Sequence, residues 1–331
     1  MRSLPTYLVL SFVLPFASTL PSQNHQDAFT YPDGPNVPGW SQQVGAWKIE
    51  KGRLMSTGST SLPFLTHDKT AGNKDCVVDI EVIYPVNGPV SVNSGGVCIR
   101  YPGANAGNDF IIAKFNSANN RFEYAILYKN FVNTIFDAVP PTVHGVLRTF
   151  VRGKTTWFEV DADMDGIFEY KSAVAIDSLA DSPGLAGVTA NNRYVQLDNW
   201  KFYEGQLTPA PKSEPKVGTT YTMEFEAPAN GGSNPRDTPW LGLLSTGNDG
   251  IRLTPDVWLP LKLDTLILSS VAFGWLGTLT TKTPKGIMAL PIPNDPSFAG
   301  LKLWAAAFTF GSTRPGGFGA ISNPHGFVLT K

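Results

Sequence analysis

The densest run of chemically capable residues is Asp161-Ala162-Asp163-Met164-Asp165-Gly166, with Glu169 just beyond it. Oxygen ligands at alternate positions before a glycine-permitted sharp turn are what a calcium loop needs. Counted from Asp161, the ninth position is Glu169, which is compatible. The twelfth is Ser172, where an EF-hand wants Glu. Trp157 to Val160 and Ile167 to Tyr170 read as strands, so an EF-hand is excluded. Two readings stay open: calcium, the one cofactor the sequence suggests, held by Asp161, Asp163, Asp165 and Glu169, or a β-hairpin tipped by Asp165-Gly166. Glu159, Asp161 and Asp163 also stand two apart, so a strand puts these carboxylates on one face. Paired carboxylates are the equipment of glycoside hydrolysis.

Other catalytic signatures are absent. The sequence has no G-x-S-x-G elbow, and His25, His67, His144 and His325 lie far apart in it. Asp79 and Glu81 alternate with Val78, Ile80 and Val82 and read as the wet face of a strand. The remaining lead is aromatic. Sugars stack their apolar faces on Trp or Tyr while polar groups take the hydroxyls. Trp40, Tyr101, Tyr124, Tyr128, Trp157 and Trp200 are candidates for such a platform; core packing is the alternative. Arg100 is a charge among apolar strand residues. It either orients a ligand or pairs with Asp109. The ligand-binding set expected is therefore Arg100, Tyr101, Asp109 and Tyr128.

Positioning such residues requires strands. Short alternating segments bounded by Gly, Asn, Asp and Pro follow one another, and no convincing helical apolar stripe of 12 residues or more appears. The expected fold class is all-β: a jelly-roll sandwich over 23–204, a Pro-rich stiff linker over 205–218, and a smaller C-terminal β-sandwich over 219–331. Residues 1–22 read as a signal peptide: Arg2, an apolar run from Leu8 to Phe16, then Ala17-Ser18-Thr19. The run is too short for a bilayer, so the expectation is a secreted or cell-surface chain without a transmembrane anchor. With 26 Lys+Arg against 27 Asp+Glu, no nucleic-acid partner is expected. Export permits a disulfide. Cys76 and Cys98 flank the turn sequence Pro85-Val86-Asn87-Gly88-Pro89, and a hairpin there would set them opposite each other. Strand parity puts them on different faces, so the expected bridge competes with two buried thiols.

Several stretches carry a family resemblance. Asp27-Ala28-Phe29, Gly39-Trp40, Gly45-Ala46-Trp47-Lys48-Ile49-Glu50-Lys51-Gly52-Arg53-Leu54, Gly95-Gly96-Val97-Cys98-Ile99-Arg100-Tyr101 and Val195-Gln196-Leu197-Asp198-Asn199-Trp200 resemble the strands of concanavalin/laminin-G-like jelly rolls of secreted bacterial proteins. The superfamily includes keto-disaccharide-hydrolase-like members. Leu259-Pro260-Leu261, Ala289-Leu290-Pro291-Ile292-Pro293, Ala299-Gly300-Leu301 and Ser322-Asn323 resemble a C-terminal β module of secreted bacterial proteins, to which no activity is attached. The Glu159-Asp161-Asp163 strand is similar to that of laminarinase-like hydrolases, but Asp163 and Met164 stand where their pattern ends in Glu.

The resemblance implies non-catalytic recognition of an extracellular glycan or glycoconjugate. A jelly-roll glycoside hydrolase and a structural surface or matrix protein are the alternatives. A binder needs a groove with exposed aromatics, a hydrolase two carboxylates facing one cleft, and a structural protein long edges or apolar patches.

Overall fold

The computed structural model describes residues 25–57, 63–70, 75–84, 94–102, 110–116, 121–128, 131–138, 144–172, 175–176, 183–190, 195–227, 238–254, 257–280, 283–310 and 317–331. The expected signal peptide, the 85–89 turn and Asp109 lie outside them.

The architecture is all-β, as the alternation predicts. The first sixteen strands are β1 (His25–Asp27), β2 (Trp40–Val44), β3 (Trp47–Glu50), β4 (Arg53–Ser56), β5 (Phe64–His67), β6 (Cys76–Ile83), β7 (Ser94–Tyr101), β8 (Phe110–Asn116), β9 (Arg121–Tyr128), β10 (Phe131–Ala138), β11 (His144–Arg152), β12 (Thr155–Asp161), β13 (Tyr170–Lys171), β14 (Ala175–Ile176), β15 (Leu185–Ala190) and β16 (Gln196–Tyr203). They form two antiparallel layers. Sheet A runs β13-β12-β11-β6-β16-β4-β3, with β1 on β16 and β14 on β12; sheet B runs β10-β9-β8-β7-β15-β5-β2. Between them lies one core, in which Val78, Ile80, Leu147, Val160, Leu197 and Trp200 of sheet A meet Leu65, Val97, Ile99, Ile111 and Val188 of sheet B. This is the sandwich expected for the first half.

The second half contains β17 (Gln206–Pro209), β18 (Thr220–Glu226), β19 (Thr238–Ser245), β20 (Ile251–Thr254), β21 (Val257–Leu259), the short helix α1 (Thr265–Ser270), β22 (Leu276–Leu279), β23 (Lys285–Pro291), β24 (Lys302–Phe310), β25 (Phe318–Ile321) and β26 (His325–Val328). Its sheets are β17-β18-β23 and β22-β19-β24-β25, the latter with β26 on β24, plus the β20-β21 pair. Met223, Phe225, Trp240, Met288, Leu303 and Phe327 fill the space between the first two.

Two expectations need correction. The 205–218 stretch is not a solvated linker throughout. Gln206–Pro209 pairs with β18, and Leu207 is buried in the second core. Asn323 fixes it there, its Oδ1 accepting from Leu207 N at 2.9 Å and its Nδ2 donating to Leu207 O at 3.2 Å. Prolines in this segment did not prevent pairing because the strand ends at Pro209, where a donor is dispensable.

The disulfide is also absent: Cys76 and Cys98 are free and buried. β6 and β7 belong to opposite layers instead of forming a hairpin. Cys76 points into the core between the layers, whereas Cys98 points to the other side of sheet B, among Phe64, Phe110 and Ile112. Parity had separated them, and the layer change completes the separation. Burial pushes both thiols up to about 12, so they are poor nucleophiles. A thiol reagent should therefore leave the native protein unlabelled and modify both cysteines once denaturant is added. Native labelling at either position would contradict this placement.

Candidate functional site

The outer face of sheet A carries charged residues arranged in rows across the strands. Cross-strand partners share a face, so register alone defines each row. The first row is apolar: Tyr203, Val77, Phe150 and Trp157 from β16, β6, β11 and β12. Trp258 of the second half joins this cluster, with its ring 6.0 Å from Tyr203.

The next row alternates in charge across five strands: Lys201, Asp79, Arg148, Glu159, Lys171. Arg148 Nε and Nη2 donate to the two Asp79 oxygens, each at 2.8 Å, and Nη1 donates to Pro324 O at 2.8 Å. Its guanidinium also lies 4.0 Å from the Phe168 ring centroid. Lys201 Nζ sits 5.3 Å from the Trp258 ring centroid, and Lys171 Nζ lies 4.0 Å from Glu159. Burial raises the proton affinity of Glu159, against the pull of Arg148 and Lys171. The expectation of a wet face at Asp79 and Glu81 is thus overturned: both are buried. Alternation shows which residues leave the sandwich core, not whether something packs on the other side.

A third row holds Asp198, Glu81, Val146 and Asp161. At its β16 end the register shifts between Asp198 and Lys201, and Asn199 adopts φ +45°. Such bulges re-aim side chains. Here Asn199 Nδ2 donates to Glu81 Oε2 at 2.5 Å, while His144 Nε2 meets Glu81 Oε1 at 2.5 Å. Asp198 Oδ1 accepts from Asn199 N at 2.7 Å. Burial, with Glu81 adding to it, raises Asp198 to about 6. Asn199 is exposed, and His144 and Asp198 are half-exposed. Arg53 Nη1 stands next to them, donating to Gln196 Oε1 at 2.6 Å. This polar group was not picked out from the sequence, although a signal existed. The buried apolar residues shift from odd positions (Val195, Leu197) to even ones (Trp200, Phe202), which marks a bulge at Asp198-Asn199.

At the β12 end the row runs into the acidic loop. Asp161 Oδ2 accepts from Gly166 N at 2.8 Å, and its Oδ1 accepts from Asp165 N at 3.2 Å. Asp165 Oδ1 accepts from Ile167 N at 2.8 Å, and Glu169 Oε2 accepts from Ala162 N at 3.1 Å. The loop thus brings Asp161, Asp163, Asp165 and Glu169 together, one oxygen of each lying within 4.8 Å of the others. An all-oxygen, all-carboxylate donor set suits a hard divalent cation. Burial raises Asp161 to about 6, with bonds from backbone N–H groups opposing it. The second half touches this loop. Lys302 forms an ion pair with Asp165, and Trp304 Nε1 donates to Gly166 O at 3.3 Å.

Of the remaining sequence-predicted residues, Arg100 and Tyr101 turn inward. Arg100 is buried at a bulge of β7 with φ +60°. Its Nη2 donates to Gly153 O at 2.7 Å and reaches Asp75 Oδ1 at 3.4 Å, so it clasps sheet B to a turn of sheet A. Tyr101 is buried against Phe64 and Phe110. Tyr128 pairs in register with Phe131 at the β9–β10 turn, and its side chain, like Asp109, lies outside what is described. All eight tryptophans are buried, at 8% exposure or less, so no Trp platform exists. The Glu159-Asp161-Asp163 set is divided: Glu159 lies in the charge row, while Asp161 and Asp163 belong to the loop.

No family model matches the chain, and no curated protein matches it. Among solved structures, the CBM2 module of the evolved Dit of Lactobacillus casei BL23 phage J-1 is 12% identical, covers 55% of this chain and 96% of its own, and gives a TM-score of 0.38. The Ca2+-bound exoplasmic/lumenal domain of VIP36 is 8% identical over 54% of this chain and 89% of its own, with a TM-score of 0.40. The GH43 protein BlXynB of Bacillus licheniformis is 11% identical over 54% of this chain and 38% of its own, also at 0.40. At these scores the likenesses carry no argument about this chain's ligands or chemistry.

The Arg148–Asp79 pair yields a direct test. Arg148→Ala leaves Asp79 buried without its bidentate partner and should cost about 3–5 kcal/mol in urea unfolding. The double variant Arg148→Met/Asp79→Leu, which removes both charges, should recover most of that loss.

Proposed function

We propose that the chain is a secreted or surface-held, non-catalytic glycan-recognition protein, with the ligand site on the first sandwich and residues 219–331 as a bracing module. The export reading rests on the Met1–Thr19 pattern. The glycan reading rests chiefly on half-exposed His144 and Asp198 and exposed Asn199, gathered around the buried Glu81 carboxylate on paired strands beside Arg53. Sugar hydroxyls both donate and accept, and a rigid mixture of carboxylate, amide and cation meets both needs. Recognition at this set is polar, and Tyr101 is buried and takes no part in it. A panel of soluble polysaccharides should give at least one binder that Asn199→Ala and His144→Ala each weaken about tenfold at a temperature where both variants remain folded. Silence across the panel would sink the reading.

Hydrolysis is favoured by one observation: Asp198, raised to about 6, stands opposite Glu81 in register. That pair could divide acid and base roles. Reducing-sugar release from any bound polysaccharide, abolished by Asp198→Asn with binding retained, would establish it. Absence of release between pH 5 and 7 leaves recognition alone.

We read the 161–169 loop as a calcium site of Asp161, Asp163, Asp165 and Glu169. An extracellular ion can be held with millimolar affinity. A ligand carboxylate must be ionised to bind metal, so Asp161 makes affinity fall by up to roughly tenfold per pH unit below about 6. Calcium should raise the melting temperature at pH 7.5, and a chelator should reverse the gain. An identical melt with and without calcium, or in Asp163→Asn, would exclude the ion.

A further inference from the structure

Two histidines from opposite layers meet at one edge of the first sandwich. His25 lies on β1 of sheet A and His67 on β5 of sheet B, with ring centroids 4.9 Å apart. His67 also stacks on Trp200 at 4.9 Å and meets the Trp40 ring at 5.1 Å, while His25 lies 6.1 Å from Phe202. Both imidazoles are buried. His67 Nδ1 is buried with no hydrogen-bond partner among the described residues. A proton placed there would have no acceptor, in a seam made almost wholly of aromatic rings.

β1 is short enough for this to matter. It has three residues, paired with Phe202, Lys201 and Trp200 of β16. A further tie is Asp27, whose carboxylate accepts from Phe29 N at 2.7 Å, Tyr31 OH at 2.9 Å and Trp40 Nε1 at 2.7 Å.

We propose that the His25–His67 stack is an acid-sensitive latch, in which acidification releases β1 from the edge of the sandwich. Among the described residues, the charged and titratable groups around it come from β1 and from the turn after β5. β1 supplies His25 and Asp27, and the turn after β5 supplies Asp68, which is bonded to Ser41, and Lys69. β2 and β16 present Trp40, Trp200 and Phe202, and Lys201 points to the opposite face of sheet A. Burial, with His25 and Lys69 adding to it, holds His67 down at about 3. Once the seam opens, His67 returns to its ordinary value near 6.5. The open form therefore binds the extra proton between those limits. The closed form loses ground by about tenfold per pH unit as pH falls from about 6. Asp27, raised by burial, acts in the opposite sense, within the carboxylate range.

The test is hydrogen exchange of the full chain at pH 7, 6, 5 and 4.5, comparing wild type with His67→Phe, which keeps a ring in the stack. Taking the ratio of exchange rates in the β1–β16 segment removes the intrinsic pH dependence of exchange. It also cancels the effect of His325, whose proton affinity burial lowers in the same way. The ratio should be near one at pH 7 and rise about tenfold per unit below pH 6; a flat ratio overturns the latch. If His67→Phe does not fold, the imidazole NMR signal of wild-type His67 decides. Titration near 6.5 with β1 still protected overturns the latch, whereas no titration until β1 exchanges supports it.

Discussion

The middle of sheet A's outer face is covered by the second half, and the buried Arg148–Asp79 pair is the constraint that organises it. A bidentate guanidinium–carboxylate pair is tolerated out of water only when its remaining donors are also satisfied. Pro324 O, from the second half, engages a third N–H donor of the five. The charge row then extends sideways to Lys201, Glu159 and Lys171, so each charge has an opposite neighbour in register. Such a row holds the register of sheet A, since a slip of one strand position would turn these charges towards the apolar core.

That packing determines what is left for function. Asp79 and Glu159 are consumed by the junction, and Arg100 by the clasp between layers. What stays half-exposed lies at the two ends of the third row. One end is the Glu81–His144–Asp198–Asn199 set, and the other is the acidic loop. The loop touches β24 through Lys302 and Trp304, so a cation there would sit beside the same junction. The His25–His67 seam is separate from both, at the edge where β1 closes the sandwich.

The two classes of buried titratable group behave differently. Asp79 keeps Arg148 charged against the effect of burial. His67 has no such counter-charge, and His325 bonds to neutral Tyr221 at 2.6 Å while facing Arg148 and Lys171. Both histidines stay neutral because protonation would place an unpaired charge in a poorly solvated site.

By itself the sequence determined the local structure. Period-two alternation named most strands, and the acidic spacing named the four carboxylates that converge at the loop. Unequal strand parity cast doubt on the Cys76–Cys98 bridge. These properties follow from neighbours along the chain, whose geometry is set by the backbone. Only the tertiary structure decided that β6 and β7 part to opposite layers, that Arg100 turns inward at a bulge, that Leu207 begins the second core, and that Asp79 and Glu81 are covered. Each of these depends on what packs against a face from far along the chain. Alternation separates the two sides of a strand, and long-range packing decides which of them meets water.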